Sequence, residues 1–409
     1  MSLVVQKFGG SSVADPDRIR EVADHVDRTR RRGTQVVMVV SAMGHETDDL
    51  LHLASQVSRS RPGREMDMLV TSGERKATAL VCMALHDLGV AADSLTGSQA
   101  GFLTDGTHTN AKILEIRPDR VRDVLAAGRV PVVGGSQGVS AARDVTFLGR
   151  GGSDTTAVAL AAALGADACE LYTDVSGVFT ADPRIVGDAR RMGVVGFDEL
   201  LEMTASGCPK PAMRSVEFAR RRGVTLHVRS SFTWEPGTWV REEYPSMEQA
   251  IISAVTHDTS EAKITVLGVP DRPGIAAALF RSMANLDVSV DMIVQNTSEE
   301  GRTDISFTVP TDDLETARRS CEEHAGDIGA QQVVADDAIA KVSLVGAGMK
   351  AHPGVSATVF EVLAARGINI EMISTSSIRI TCVVRTDRME EAVAALHQAF
   401  RLDQPPGPE

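Results

Sequence analysis

The sequence has no apolar run long enough to cross a membrane and no excess of positive charge. Its longest apolar run, residues 157–164, falls far short of the roughly 20 residues that a membrane helix needs. Residues 1–7 lack the long apolar stretch and cleavage site of a signal peptide. There are 42 Lys and Arg against 55 Asp and Glu, a net charge of −13. Since this acidic surface repels phosphate backbones and anionic lipids, we expect no nucleic-acid or membrane partner.

Cysteines are few and scattered. The five in the chain are far apart and form no CxxC pair, which excludes a disulfide framework and a cysteine-rich zinc site. We therefore expect reduced thiols and a cytoplasmic location. No GxxxxGK[ST] segment is present, which disfavours a P-loop nucleotide site. The 409 residues, 43% of them hydrophobic and 24% charged, suffice for two or three globular domains.

The first 230 residues alternate short β-branched runs with helical patterns. Several of the predicted strands are apolar on both faces, which is typical of a mostly parallel sheet covered by helices on both faces. We predict an α/β domain over residues 1–245, with a linker region at 231–246. The predicted strands are 3–6, 35–40, 130–133, 170–173 and 226–229, and the predicted helices are 17–32, 74–88, 154–164 and 215–222.

The C-terminal part contains an internal repeat. The Pro-Gly pair at Gly274 recurs at Gly354, 80 positions later, and the same offset relates VSVDMI at 288–293 to INIEMI at 368–373. Each copy is predicted to form a strand, a Pro-Gly turn, a helix, two strands and a helix, which indicates a ferredoxin-like βαββαβ unit. We place these units at 246–335 and 336–403, followed by a disordered tail at 404–409.

Two glycine-rich loops each follow a strand and open a helix. They are KFGGSS at 7–12 and GRGGSDTT at 149–156. Paired glycines let the backbone approach a ligand, and N–H groups at a helix start attract anions. Lys7 suits a phosphate and Arg150 a carboxylate. The first loop alone is often just a tight turn with a helix cap, and for the second loop alone the structural interpretation, with Asp154 as a helix cap and Arg150 as a surface charge, is favoured. Two such loops in one parallel-sheet domain favour phosphoryl chemistry.

A wider set of motifs resembles the aspartate kinases of the amino acid kinase family. The set is KFGGSSV at 7–13, SAMG at 41–44, MLVTSGE at 68–74, GSQAG at 97–101, LGRGGSDTTA at 148–157 and TDVSGVFTADPR at 173–184. The repeat resembles that family's paired ACT domains, and the pattern is most similar to actinobacterial enzymes inhibited by lysine and threonine. The resemblance covers residues 1 to about 400 and implies the amino acid kinase fold followed by two ACT domains.

The resemblance implies ATP-dependent phosphorylation of the β-carboxylate of L-aspartate to 4-phospho-L-aspartate, the first step towards lysine, threonine and methionine. Magnesium would be carried by ATP, with no metal held by the protein alone. Lysine and/or threonine would be the effectors, and the ACT domains would form a homo-oligomer. A pure sensor made from the ACT repeat stays open as an alternative, although it would have no use for Lys7, Glu74, Arg150 and Asp154.

The resemblance also assigns residues. Lys7 and Asp154 would be catalytic, and we expect Lys7→Ala and Asp154→Ala to lose most of the turnover while folding normally, because both residues are predicted on loops. The aspartate pocket would comprise Ser41, Thr47, Glu74, Arg150, Gly151, Gly152 and Ser153. The nucleotide site would comprise Lys7, Gly9, Gly10, Thr173, Asp174, Phe179, Arg184 and Lys210. The effector sites would comprise Asp271, Gly274, Ile275, Ala276, Asp291, Gln295 and Asn296 on the first copy, and His352, Gly354 and Val355 on the second.

Four positions depart from the family pattern. Ser136 stands where the family has a phenylalanine, and Phe179 stands where it has a tyrosine. Pro209 occupies the position of a family lysine, and the lysine of this chain follows one position later, at Lys210. In the second ACT copy, Ser377 stands where related enzymes often have a glutamate. Three of the four are expected around the catalytic cleft. They leave open a paralogous amino-acid kinase with an altered acid substrate.

Overall fold

The computed structural model describes residues 2–60, 63–242, 251–295, 301–347, 349 and 352–404. Contacts divide the chain into two compact units. The first comprises Met1–Val178, Arg191–Thr204 and Pro209–Pro245, and the second comprises Phe179–Arg190, Ala205–Cys208 and Ser246–Glu409. The proposed domain 1–245 thus differs from the first unit, because two short segments within it pack with the C-terminal unit. The proposed boundary at 245/246 and tail residues 405–409 lie outside the described residues.

The first unit contains two sheets and most of the helices. Its strands are β1 (Leu3–Phe8), β2 (Gln35–Val40), β3 (Ala92–Leu95), β4 (Phe102–Thr104), β5 (Ile113–Ile116), β6 (Val130–Gly134), β7 (Gln137–Ser140), β8 (Val145–Phe147), β9 (Ala168–Thr173), β10 (Val194–Val195), β11 (Leu226–Ser230) and β12 (Thr238–Val240). Its helices are α1 (Pro16–Arg31), α2 (Glu46–Val57), α3 (Gly63–Asp87), α4 (Asp119–Ala126), α5 (Gly152–Leu164), α6 (Phe197–Ala205) and α7 (Met213–Arg222).

The main sheet has the strand order β10-β12-β11-β9-β1-β2-β6-β3, and only β10 and β12 run against the others. This confirms the predicted mostly parallel sheet. The supposed linker at 231–246 is partly wrong, since Thr238–Val240 pairs with β11 as a strand of this sheet. A smaller sheet of order β5-β4-β7-β8 lies in the same unit. Since parallel strands end at one edge, β1, β2, β6 and β9 deliver their following loops to the same place.

Helix α1 shows how the sequence specifies this layer. Asp15 caps it by accepting from the Arg18 N–H at 2.9 Å, and Pro16 occupies its first turn. Ile19, Val22, Ala23 and Val26 recur at helical spacing and are all buried against the sheet with residues of α3. Helix α5 differs, because its residues from Gly152 to Ala161 are all buried and it contacts β1, β2 and β9. The alanine-rich composition of α5 lets it lie close to these strands.

The second unit is built from two antiparallel sheets with helices. Its strands are β13 (Ile251–Asp258), β14 (Glu261–Pro270), β15 (Ile293–Gln295), β16 (Arg302–Pro310), β17 (Gln332–Asp336), β18 (Ile339–Ala347), β19 (Met372–Thr375) and β20 (Arg379–Arg385). Its helices are α8 (Ile275–Asn285), α9 (Leu314–Ile328), α10 (Pro353–Ala365) and α11 (Met389–Ala399).

The first repeat has the predicted βαββαβ order, with its sheet arranged β17-β14-β16-β15. The second sheet is arranged β13-β18-β20-β19, so its fourth strand is Ile251–Asp258, which precedes β14 and lies within the residues assigned to the first copy. The division into consecutive halves at 335/336 is therefore wrong for this strand. Because no described strand follows α11, the free edge of β18 is paired by β13 instead.

In the described part of the chain, none of the helices combines the length and apolar character that crossing a membrane requires.

Candidate active site

A buried ion pair lies where β1 meets the start of α5. Lys7 Nζ is 2.6 Å from Asp154 Oδ1, and the two side chains are only 6% and 4% exposed. Asp154 Oδ2 also accepts the Ala212 N–H at 3.1 Å. Burial would raise the pKa of Asp154, but Lys7, Lys210 and this N–H outweigh it and hold the pKa below its usual value. Both residues belong to regular elements, so the expectation that they lie on loops is wrong.

The first glycine loop packs against the segment that follows β2. Gly44 N donates to Gly10 O at 3.0 Å, and Ser41 N donates to Phe8 O at 3.1 Å. A Cβ at Gly10 would lie 2.7 Å from Gly44 O, so only glycine permits this approach. A Cβ at Gly9 would come within 3.3 Å of Lys7 Nζ. The KFGG and SAMG motifs therefore form one wall around the lysine ammonium.

The second glycine loop places the N-terminus of α5 at the same edge. Gly151 precedes this helix with a φ of +71°, and a Cβ there would lie 2.6 Å from Ala212 Cβ. The first N–H groups of a helix have no partner within it and carry partial positive charge, which suits an anion. Arg150, immediately before, is 89% exposed and reaches Asp48 of α2 at 3.3 Å.

Glu74 supplies a buried carboxylate from α3. Glu74 is only 3% exposed, and among the described residues its Oε2 has no hydrogen-bond partner. Desolvation by burial, with a smaller contribution from Glu46, outweighs the opposing backbone N–H groups, including that of Ala42, and raises its pKa to about 7. A buried carboxylate with an unpaired oxygen is costly unless a cation completes it. An ammonium group bound in the adjacent cavity would do so.

These groups line one cavity of about 860 Å³ in the first unit. Gly152 is buried and does not line it, because its position faces Ser136 and Leu148. Phe179 and Arg184 belong to the second unit and do not line it either. The assigned residues that do line it are Lys7, Gly9, Gly10, Ser41, Thr47, Glu74, Arg150, Gly151, Ser153, Asp154, Thr173, Asp174 and Lys210.

Sequence reasoning missed part of the lining. Arg18 lies 3.8 Å above the ring of Phe232 and donates to Ser231 O at 2.7 Å. Both Arg18 and Phe232 line the cavity, as does His45. Arg18 and Phe232 are more than 200 positions apart, and no motif connects them. Only the arrangement of the sheet brings them together.

Of the four departures from the family pattern, Ser136 and Pro209 line this cavity, whereas Phe179 and Ser377 belong to the second unit. Ser136 is buried with a φ of +56°, and its hydroxyl lies 3.0 Å from that of Ser153. Pro209 and Lys210 both line the cavity. Lys210 thus remains at the site although the motif places it one position late. Ser377 lies in the second unit, between β19 and β20.

The residues assigned to effectors all lie in the second unit. Gly274 precedes α8 with a φ of +101°. Asp291 Oδ2 is 2.8 Å from the buried Lys341 Nζ of the other copy. Asn296 lies outside the described residues. Of the rest, Asp271 follows β14, Ile275 and Ala276 open α8, Gln295 ends β15, and His352, Gly354 and Val355 lie at the start of α10.

Comparisons with known proteins identify the fold and its relatives. Residues 2–230 match the amino acid kinase family, and residues 264–324 and 342–400 match the ACT domain. The aspartokinase of Mycolicibacterium smegmatis is 56% identical over 408 residues, which cover 98% of this chain and 97% of the relative.

Two solved structures are similar over almost the whole chain. The structure of E. coli aspartokinase III in complex with aspartate and ADP, in the R-state, has a TM-score of 0.81 at 25% identity and covers 97% of this chain and 99% of that one. The same enzyme in complex with lysine and aspartate, in the T-state, has a TM-score of 0.74 with the same identity and coverage. With an amino acid kinase domain, an ACT repeat and relatives that match it from end to end, the chain belongs to the aspartokinases.

Proposed function

We propose that Lys7, oriented by Asp154, holds the phosphoryl group that passes from ATP to the β-carboxylate of L-aspartate. The observation that carries this proposal is the buried ion pair between Lys7 Nζ and Asp154 Oδ1, 2.6 Å apart, which joins the two glycine-rich loops. Asp154 holds the ammonium in a fixed position, so little reorganisation is required when charge develops during transfer. The product is 4-phospho-L-aspartate, an acyl phosphate.

The chemistry needs positioned charge rather than a general base. A carboxylate is already ionised at neutral pH, so no proton has to leave the nucleophile. The barrier arises from repulsion between that carboxylate and the triphosphate. Lys7, Lys210 and the N-terminus of α5 place positive charge around the cavity and would offset this repulsion.

We assign the two ends of aspartate to two residues of the cavity. Glu74, whose Oε2 has no partner among the described residues, would accept hydrogen bonds from the α-ammonium group. Arg150 would grip the α-carboxylate with two parallel N–H bonds, in place of its exposed contact with Asp48. Holding aspartate by its α-groups leaves the β-carboxylate directed towards Lys7.

Arg150→Lys tests this assignment and the substrate class together. Because an ammonium cannot reproduce the two-pronged bond, we expect the aspartate KM to rise about tenfold while the ATP KM changes little. The measurement is ADP release with aspartate, glutamate and smaller acids. Arg20→Lys, at an exposed arginine of α1 that does not line the cavity, is the matched control and should leave the aspartate KM near that of the wild type. Equal rates with glutamate and aspartate would instead favour a kinase with an altered acid substrate.

The nucleotide is proposed to lie along the ends of β1 and β9, beside Gly9, Gly10, Thr173 and Asp174. Thr173 Oγ1 donates to Asp174 Oδ1 at 2.8 Å, which orders the end of β9. Magnesium is proposed to enter with ATP and to neutralise part of the charge on its phosphates. The proposed nucleotide contacts of Phe179 and Arg184 rest on the motif alone.

The second unit is proposed to bind lysine and/or threonine. The acidic residue of each copy is paired with a lysine of the other copy: Asp291 with Lys341, and Glu371 with Lys263. An effector ammonium could compete with Lys341 for Asp291 and so act on the contact between the copies. The structure of the relative with lysine and aspartate supports an amino-acid effector.

Asp291→Asn should weaken inhibition without changing the uninhibited rate. The amide removes the charge that would attract the effector ammonium, so we expect the half-inhibitory concentration to rise about tenfold. Glu371→Gln, at the equivalent position, is the matched variant that shows which copy binds. Inhibition unchanged in both variants would contradict this site.

A homo-oligomer through the ACT domains is proposed as well. Ile293 and Ile373 are half-exposed on β15 and β19, the edge strands of the two sheets. Unpaired strand edges with apolar side chains favour association. Light scattering should give at least twice the chain mass, and a monomer would contradict the proposal.

A further inference from the structure

The loop between β4 and β5, residues 105–112, is bound to the segment that leads to Arg150. Ala111 N donates to Phe147 O at 2.8 Å. Arg214, on α7, joins the two segments, because its guanidinium donates to Leu148 O at 2.8 Å and to Ala111 O at 2.9 Å. The loop and the end of β8 are therefore held together from both sides.

The contact continues to the residue just before Arg150. Gly149 has a φ of +85°. A Cβ at this position would lie 3.2 Å from Asn110 Oδ1 and 3.3 Å from Thr109 O. The loop backbone thus forms the surface on which Gly149 rests. A shift of Thr109 would change the point from which the Arg150 side chain extends.

Thr109 has an unusual backbone conformation. Its φ is +68°, which a β-branched residue rarely adopts unless its surroundings impose it. Its N–H donates to Asp67 Oδ1 at 2.8 Å, and the other carboxylate oxygen, Oδ2, lies 2.7 Å from His108 Nδ1. One carboxylate therefore holds two consecutive residues of the loop.

Asp67 is otherwise an unexpected residue for its position. It is fully buried on α3, where a carboxylate is costly without strong partners, and both of its side-chain hydrogen-bond partners belong to the loop. It does not line the cavity of the first unit, so it has no direct contact with a substrate there. His108 is 25% exposed.

We infer that Asp67 is a positioning residue for Arg150, acting through His108 and Thr109 on Gly149, and that it sets the affinity for the α-carboxylate of the acid substrate. This inference rests on the proposed role of Arg150. It assigns Asp67 no contact with the nucleotide. Its loss should therefore separate the two substrates kinetically.

Asp67→Ala removes both bonds to the loop. We expect the aspartate KM to rise about tenfold, with the ATP KM and the kcat at saturating aspartate within about twofold of the wild type. His108→Ala removes one bond at a partly exposed position and should raise the aspartate KM less. If Asp67→Ala does not fold, the aspartate KM of His108→Ala still tests whether the loop positions Arg150. Asp144→Ala is the control, because among the described residues the Asp144 carboxylate pairs with Arg64 alone, at 2.8 Å, near the same small sheet.

A second replacement distinguishes positioning from general support of the fold. Glycine adopts a positive φ without strain, so Thr109→Gly in the Asp67→Ala background should recover much of the aspartate KM. Asp67 has only a structural role if Asp67→Ala raises the KM values for aspartate and ATP and lowers kcat together, and if adding Thr109→Gly recovers none of the three. That result would overturn the inference.

The inference and the proposed function can fail separately. If Asp67→Ala and His108→Ala leave the aspartate KM unchanged while Arg150→Lys raises it, the inference is overturned and the role of Arg150 stands. If Arg150→Lys also leaves the aspartate KM unchanged, the role of Arg150 and the inference both fall.

Discussion

Lys7→Met should reduce kcat about 100- to 1,000-fold, the usual loss when one positioned donor to developing charge is removed. Methionine keeps the length and apolar stem of lysine but has no ammonium. Since Lys7 is only 6% exposed and bound to Asp154, solvent cannot readily take the place of its ammonium. The measurement is ADP release at saturating ATP and aspartate.

The same replacement should also destabilise the protein, contrary to what the sequence predicts. Removing one partner leaves the Asp154 carboxylate charged and buried, which typically costs about 3–5 kcal/mol. The double variant Lys7→Met/Asp154→Asn removes both charges and should recover most of the free energy of unfolding but none of the kcat. Denaturant unfolding beside the rate assay separates the two effects. A Lys7→Met enzyme with wild-type turnover would rule out the proposed site.

Glu74→Gln should weaken aspartate binding about 10- to 100-fold and stabilise the unliganded protein. The loss of affinity reflects the loss of a charged partner for the α-ammonium in a buried site. The measurement is the aspartate KM, with Glu65→Gln as the control, because Glu65 is an exposed glutamate of the same helix. An unchanged aspartate KM would show that the ammonium binds elsewhere.

The gain in stability follows from the raised pKa of Glu74. Its pKa rises from 4.5 to about 7 on folding, so the folded state binds more protons than the unfolded state between these values. The resulting loss in the free energy of unfolding, which comes from burying an ionised carboxylate, is absent below pH 4.5 and grows as the pH rises. It is complete above pH 7, at about 3 kcal/mol. Glutamine removes it, so the gain should be largest at pH 8 and small near pH 5. Equal gains at both pH values would contradict this explanation.

The raised pKa also predicts how the wild-type enzyme responds to acid. Below pH 7 an increasing fraction of Glu74 is protonated and cannot pair with the substrate ammonium. The aspartate KM should therefore rise as the pH falls below 7, by up to tenfold per unit. Glu74→Gln should lose this dependence, because glutamine does not titrate.

Local patterns predicted the longest strands and four of the helices in the first unit, because each of these depends on residues close together in the chain, but they missed the shorter strands such as β3, β4 and β8. The apolar spacing in α1, the Asp15 cap and the β-branched runs of β1 and β2 all act within a few residues. Motif resemblance likewise identified many of the residues that line the cavity, including Lys7 and Asp154, but not Arg18, His45 or Phe232. The burial of that pair was missed, since burial depends on what packs above a residue rather than on its neighbours in sequence.

Within the first unit, other features depend on residues far apart in the chain. Arg18 meets Phe232 only because α1 and the segment after β11 lie over neighbouring parts of one sheet. Asp67 meets His108 and Thr109 across 41 and 42 positions. Neither pair has a local periodicity or a fixed spacing, so the sequence offers no signal for it.

The ACT repeat shows the division between the two kinds of information. The repeated Pro-Gly turns and strand patterns determined that two similar units would form, because each pattern directs local folding in the same way. Which strand completes the second sheet was decided only in the folded chain, where Ile251–Asp258 pairs with Ile339–Ala347. Backbone hydrogen bonding between strands is the same for any sequence, so an open edge accepts whichever strand the tertiary structure brings beside it.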